Sequence, residues 1–241
     1  MATAECIHGF EAGMCDQCYP KAVPEKPKVA RAAAPPKRTA GAVRTRVVNL
    51  AEQRVYHVTH VRNLEHILET GGLVAGTTPA IDLSSELTRE LRSTAEVSPG
   101  ESVADYVPFY LSPVATLWEE LRRGAAEPRW SPAARTAAST DFVLLVTTVR
   151  ALGDAVIADG DAAGSYTRFA TTPDSVEGML GRLHGTDAAL DAEALVKGSF
   201  DFAEVTLIGV ANDPARARVK TMLDDANFAT KVAVYPPWFM A

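Results

Sequence analysis

From residue 48 onward, short apolar runs alternate with polar punctuation, and two different periods recur in them. Arg54 to Thr59 reads as a strand. Leu64, Ile67 and Leu68 then fall on one face of a short helix, which Gly71-Gly72 is suited to stop. Ser84 or Ser85 is placed to cap a second helix running to about Thr94. Tyr106 to Leu111 predicts a strand, and Pro113 predicts the opening of a helix that runs through Arg122. Asp141 to Thr148 is a β-rich run suited to a buried strand. A short strand at Val156 to Ala158 and a weak helix at Val176 to Leu183 follow. Glu193 to Lys197, Val205 to Ala211 and Thr230 to Tyr235 predict strands, with Asn212 or Asp213 capping a helix to Leu223. Strands and helices mix without regular alternation, which favours α+β over a doubly wound sheet.

The N-terminal fifth of the chain carries no such pattern. Residues 1–20 are a Cys/His cluster, and residues 21–47 are rich in Ala, Pro, Lys and Arg. That second stretch has too little apolar surface to offset its ordering entropy and reads as a mobile linker. Residues 48–241 are the expected folded body. With 47% apolar residues in a 241-residue chain there is enough for a sizeable core. No apolar run approaches the roughly 18 residues that span a bilayer. The N-terminus lacks the basic-then-apolar form of a signal peptide, so a cytoplasmic protein is expected.

The net charge of −6 conceals an asymmetry. Residues 1–20 carry −3, residues 21–46 carry +7 and the remainder carries −10. A basic segment on an acidic body suits a polyanion, or is simply a solvated linker. All three cysteines lie within the first 18 residues, which argues against a disulfide framework for the body. Cys6, His8, Cys15 and Cys18 read C-x-H-x6-C-x2-C, three thiols and an imidazole able to hold one structural zinc as a small Cys3His knuckle. The competing reading is three unligated thiols in a frayed terminus.

The segment Val55-Tyr56-His57-Val58-Thr59-His60-Val61-Arg62-Asn63-Leu64 places His57 on a strand and His60 and Asn63 at the turn into a helix. Residues three apart on a strand face opposite sides, so His57 and His60 are not expected to share a metal. Further on stand Asp105-Tyr106-Val107-Pro108-Phe109-Tyr110-Leu111-Ser112-Pro113, Asp159-Gly160-Asp161-Ala162-Ala163-Gly164-Ser165-Tyr166-Thr167-Arg168-Phe169, and Ala192-Glu193-Ala194-Leu195-Val196. In this order, and with the aromatic C-terminus at Trp238 and Phe239, these motifs resemble the DarT family of DNA ADP-ribosyltransferase toxins over about residues 54–240.

The resemblance implies an ADP-ribosyltransferase-like split mixed β-sheet with surrounding helices, and a cleft for NAD as substrate. It implies Glu193 as the catalytic carboxylate and Arg92 as the arginine near the pyrophosphate and active site. It implies His57, with Thr59, His60 and Asn63 of the opening motif, on the NAD side, and Tyr110 lining the nicotinamide pocket. Two departures from the family pattern bear on the target base. Val114-Ala115-Thr116-Leu117 stands where many members have Arg-Ser-Pro-Met, and Asp161 stands where others have His or Asn.

The implied chemistry breaks the bond between nicotinamide and ribose, so positive charge builds on the sugar. A fixed carboxylate stabilises that charge, as in glycosidases. Single-stranded DNA is the implied acceptor, because pairing hides the ring nitrogen that attacks. A toxin role, and an antitoxin of the ADP-ribosylglycohydrolase type as partner, follow from the resemblance alone. Two alternatives stand beside it. One is the same transferase acting on RNA or protein, and the other is an inactive zinc-containing nucleic-acid-binding module.

Overall fold

The run of apolar residues at Phe142–Thr148 forms the longest buried stretch of strand among the described residues, with every residue from Phe142 to Thr147 removed from solvent. Burial on both faces fits the continuous Val/Leu character of that run. It lies in the interior of an eight-stranded sheet. The computed structural model describes residues 49–124 and 128–240, within the compact unit Val48–Ala241. The Cys6/His8/Cys15/Cys18 knuckle and the basic linker expected over residues 1–20 and 21–47 lie outside the described residues.

In chain order the strands are β1 (Arg54–His60), β2 (Gly72–Val74), β3 (Glu96–Ser98), β4 (Glu101–Ser102), β5 (Tyr106–Tyr110) and β6 (Phe142–Thr148). Then come β7 (Val156–Ala158), β8 (Phe169–Ala170), β9 (Glu193–Lys197), β10 (Ser199–Asp201), β11 (Leu207–Val210) and β12 (Lys231–Val234). The α-helices are α1 (Asn63–Thr70), α2 (Glu86–Thr94), α3 (Thr116–Arg122), α4 (Pro132–Thr136), α5 (Pro173–Leu183) and α6 (Asp213–Asp225). The main sheet runs β12-β11-β6-β1-β5-β9-β7-β8. All its pairings are antiparallel except β11 with β12, which α6 connects as a crossover. The result is the mixed sheet and α+β class expected from the sequence.

The sheet is split between β1 and β5. β1 pairs with β6 over its whole length, from Arg54↔Thr148 to His60↔Phe142. With β5 it shares a single register position, Tyr56↔Tyr110. Pro108 contributes to this opening. Its carbonyl points toward β1, where it accepts from His57, and a strand residue's N–H and C=O point the same way. The missing proline N–H is therefore missing from the edge that faces β1.

One core lies under a single face of the whole sheet. There α1 contributes Leu64, Ile67 and Leu68, α5 contributes Met179, Leu180 and Leu183, and α6 contributes Val219 and Leu223. The opposite face carries two separate cores. One packs Trp118 and Leu121 of α3 and Ala134 of α4 onto Tyr56, Val58, Leu144 and Val146. The other joins Val156, Ala158 and Leu195 to Val97, Val103 and Tyr106.

Local signals set most helix ends. α1 stops at Gly71, which adopts φ 76°, and Ser85 caps α2 by accepting from Thr88 N–H. The helix expected to open at Pro113 begins at Thr116 instead. Pro113 occupies the preceding turn, where Ser112 Oγ accepts from Val114 N–H. The helix expected from Val176 begins earlier, at Pro173, because Thr172 caps it by accepting from Ser175 N–H. Among the described residues no helix is long and apolar enough to cross a membrane.

Candidate active site

The split opens into a cavity of about 700 Å³. Ligand sites commonly fall between roughly 300 and 1,000 Å³. Residues from both half-sheets and from α1 and α2 line it. Six of the seven residues singled out in the body meet there: His57, Thr59, Asn63, Arg92, Tyr110 and Glu193.

Glu193 begins β9, opposite Tyr110 on β5 and opposite Ala158 on β7. Ladders on both sides therefore fix its backbone, and the small Ala158 leaves room beside its carboxylate. The residue is 1% exposed. Its Oε1 accepts from Ala162 N–H at 3.0 Å, and its Oε2 lies 3.5 Å from Arg92 Nη1. Burial raises its pKa above the ordinary carboxylate value, an effect that Asp161's charge reinforces. The Arg92 charge and the Ala162 N–H oppose that rise without cancelling it.

Arg92 stands in the last turn of α2, a helix with no buried residue of its own. Its Nη2 is buried and has no hydrogen-bond partner among the described residues. A buried guanidinium nitrogen without a partner is costly unless a ligand completes it. One terminal nitrogen of Arg92 thus faces Glu193, and the other has no partner among the described residues.

His57 Nδ1 lies 2.8 Å from the Pro108 carbonyl. A carbonyl only accepts, so Nδ1 carries the proton and Nε2 is left as an acceptor. Burial pushes the imidazole pKa down to about 4, against the Pro108 bond and with a smaller push from the Arg92 charge. The ring is therefore neutral near pH 7. Tyr110 is held as a neutral phenol, because burial and then the Glu193 charge raise its pKa.

Asn63 is committed to the protein itself. Its Nδ2 donates to Ile81 O at 2.8 Å and to Thr59 Oγ1 at 3.1 Å, while its Oδ1 accepts from Ile81 N–H at 2.8 Å. It ties the wall at residues 75–84 to the start of α1. Ser131 Oγ donates to Asp82 O at 2.5 Å and secures the same wall from the other side.

His60 has a different place from its neighbours. It does not line the cavity, and its Nδ1 accepts from Arg62 N–H at 3.1 Å, with its ring edge-on to Phe142. His57 and His60 face opposite sides of β1, as strand geometry requires. Among the described residues no group of three or more His, Cys, Asp or Glu side chains could hold a metal.

The sequence gives no signal for Arg129. This residue lines the cavity and places Nη1 3.1 Å from Asp161 Oδ2, a partner 32 positions away. Nor does it show that the N–H of Ala162, in the Asp159–Phe169 motif, serves Glu193. Both are tertiary relationships without a spacing.

Comparison with known proteins gives a consistent picture. Residues 56–240 match the family described as "ssDNA thymidine ADP-ribosyltransferase, DarT". A protein of Mycobacterium tuberculosis strain H37Rv named "DNA ADP-ribosyl transferase" is 28% identical over 209 residues, covering 76% of this chain and 86% of that one. A Thermus sp. strain 2.9 protein of the same name is 37% identical over 78 residues, covering 30% of this chain and 37% of that one. The solved Thermus sp. 2.9 DarT in complex with ADP-ribosylated ssDNA shares the fold with a TM-score of 0.66 and 22% identity, covering 78% of this chain and 96% of that one. The same DarT in complex with NAD+ gives 0.64, covering 78% and 98%.

Proposed function

The chain belongs to the DarT family, and from that premise we propose that it transfers ADP-ribose from NAD to a base of single-stranded DNA, with Glu193 as the catalytic carboxylate. The carrying observation is the pairing of a 1% exposed carboxylate with a guanidinium that retains a free buried nitrogen, at the wall of a cavity of dinucleotide size. The family description names thymidine, and that base is the first to test.

In this reading NAD lies across the split. The bond between the ribose anomeric carbon and the nicotinamide nitrogen breaks, and its electron pair leaves with nicotinamide, which departs neutral. Glu193 accepts a hydrogen bond from a ribose hydroxyl and offsets the positive charge on the sugar. Arg92 Nη2 holds an oxygen of the dinucleotide, for which its fork is suited. His57 Nε2 accepts from a second hydroxyl, and Tyr110 shields the nicotinamide end from water. A ring nitrogen of the base then forms the new bond to the anomeric carbon. Its proton passes to Glu193, whose raised pKa suits it to receive one. Thr59 and His60 act indirectly in this proposal, Thr59 through Asn63 and His60 by shaping the turn into α1.

The bound states named for the Thermus DarT support NAD and single-stranded DNA as partners. Another fold relative, Thermosipho africanus DarTG in complex with ADP-ribose, has a TM-score of 0.56 and 17% identity, covering 78% of this chain and 51% of that one. A partner antitoxin that removes the mark completes the proposal. Zinc at Cys6, His8, Cys15 and Cys18 is a separate part of it, resting on the donor chemistry, and purified protein should hold about one zinc.

The deciding experiment incubates the full chain with labelled NAD and separate pools of single-stranded DNA, RNA and protein. Label is expected in the DNA alone, on a base located by mass-spectrometric fragmentation. Label confined to RNA or protein overturns the acceptor, and absence of any NAD turnover overturns the activity.

A further inference from the structure

Tyr166 is 98% exposed, the most exposed large hydrophobic side chain among the described residues. A single exposed aromatic is ordinary on a protein surface. Its setting is not. It stands in the loop between β7 and β8, directly after Ala163, Gly164 and Ser165, which line the cavity. The same loop supplies the Ala162 N–H that binds Glu193.

The loop is rigidly built. Its base is stapled by Arg168, whose N–H and Nε both donate to the Asp159 carboxylate, at 2.8 and 2.7 Å. Asp159 N–H returns a bond to Arg168 O at 3.1 Å. Within it, Asp161 O accepts from Gly164 N–H at 2.8 Å and from Thr167 Oγ1 at 2.6 Å, and Asp161 Oδ1 accepts from Ala163 N–H at 3.0 Å. The turn is tight enough that a Cβ at Gly164 would meet Asp161 O at 2.9 Å and Thr167 Oγ1 at 3.0 Å. Tyr166 is thus displayed from a fixed frame, with few rotatable bonds to order on binding.

We infer that Tyr166 is a stacking platform for a base adjoining the modified nucleotide, a role that rests on the single-stranded-DNA reading above. An exposed ring carried directly after three cavity-lining residues matches how proteins hold unpaired strands, with bases stacked on aromatic faces. The platform orients the strand so that the target base enters the cavity over Glu193. Tyr166 touches neither NAD nor the reacting atoms, so it is a positioning residue.

The test compares the full-length wild-type chain with Tyr166→Ala, Tyr166→Phe and Tyr166→Trp, varying a single-stranded oligonucleotide at saturating NAD and then the reverse. Tyr166→Ala should raise the oligonucleotide KM by about ten-fold or more, while the NAD KM and the melting temperature stay at wild-type values. Phe and Trp should restore the oligonucleotide KM, since stacking needs the ring and not the hydroxyl. An unchanged oligonucleotide KM in Tyr166→Ala overturns the inference alone. So does a parallel rise in the NAD KM, which assigns the residue to loop structure. A wild-type chain that labels no nucleic acid removes the acceptor reading and this inference with it.

Discussion

Arg92 Nη1 lies 3.5 Å from Glu193 Oε2, and the second terminal nitrogen of the same guanidinium is buried without a partner among the described residues. The pair is thus half complete. Such an arrangement is expensive in an empty protein and favourable once an anionic or hydroxylated ligand supplies the missing acceptor. Glu193→Gln keeps a side-chain oxygen for Ala162 N–H and removes the charge. It should cut ADP-ribose transfer by about 10²-fold or more while the protein still folds, as checked by product formation and by circular dichroism. Full turnover by this variant would remove Glu193 from the chemistry.

Two of the shifted groups in the cavity, Glu193 and His57, act on stability in opposite pH ranges. Glu193 has a raised pKa, so its contribution is fully present below about 4.5, its ordinary value, and is lost as pH rises through its folded value. His57 has its pKa lowered to about 4, so its contribution is present above about 6.5 and is lost as pH falls toward 4. The histidine effect is worth up to about 3 kcal/mol. In urea titrations from pH 4.5 to 8, Glu193→Gln should gain on the wild type as pH rises. His57→Asn, whose Nδ2 can still donate to the Pro108 carbonyl, should gain on it as pH falls below about 6.5.

Asp161 and Arg92 bias the same carboxyl in opposite directions. The Asp161 charge raises the Glu193 pKa and the Arg92 charge lowers it. Asp161→Asn should move the acid limb of the kcat profile to lower pH, and Arg92→Gln should move the limb of its residual activity to higher pH. Rate measurements at saturating NAD across the acid range check both signs. Shifts in the same direction for the two variants would break the link between that limb and Glu193.

Asn63 is 3% exposed and spends three hydrogen bonds on the Ile81 backbone and Thr59. Asn63→Ala strands those groups and should cost about 1–3 kcal/mol of stability. Because Ile81 belongs to the cavity wall, the NAD KM should rise as well, with kcat changing less. Thermal unfolding and NAD titration separate the two effects. An unaltered NAD KM would show that the wall is held without this residue.

The elements that reinforce their own pattern locally were readable in advance. β6 announces itself by an unbroken apolar run, α1 by its stop at Gly71, and α2 by the Ser85 cap. The pieces β2 and β10 are three residues each and too short to show a period, and they exist because they pair with one another. Pro113 is compatible with either a first helical turn or the turn before a helix, and only the tertiary setting decides for the turn. For the site, the ordered motifs supplied Glu193, His57 and Tyr110 as candidates, and the family resemblance they carry added Arg92, none of which periodicity would have singled out. What no motif carried were the partners: the Pro108 carbonyl for His57, the Ala162 N–H for Glu193, and Arg129 for Asp161. Each is a bond across a long stretch of chain, and such bonds leave no local trace.

The opening between β1 and β5 has one more consequence. A continuous ladder would transmit any displacement of one strand to the next. Here a lone register position at Tyr56 and Tyr110, helped by one imidazole bond, is nearly all that couples the halves through the sheet. A displacement of one bank should therefore reach the other chiefly through the apolar core shared beneath the sheet, where Val55 and Leu145 meet Phe109 and Val196, and not through strand hydrogen bonds.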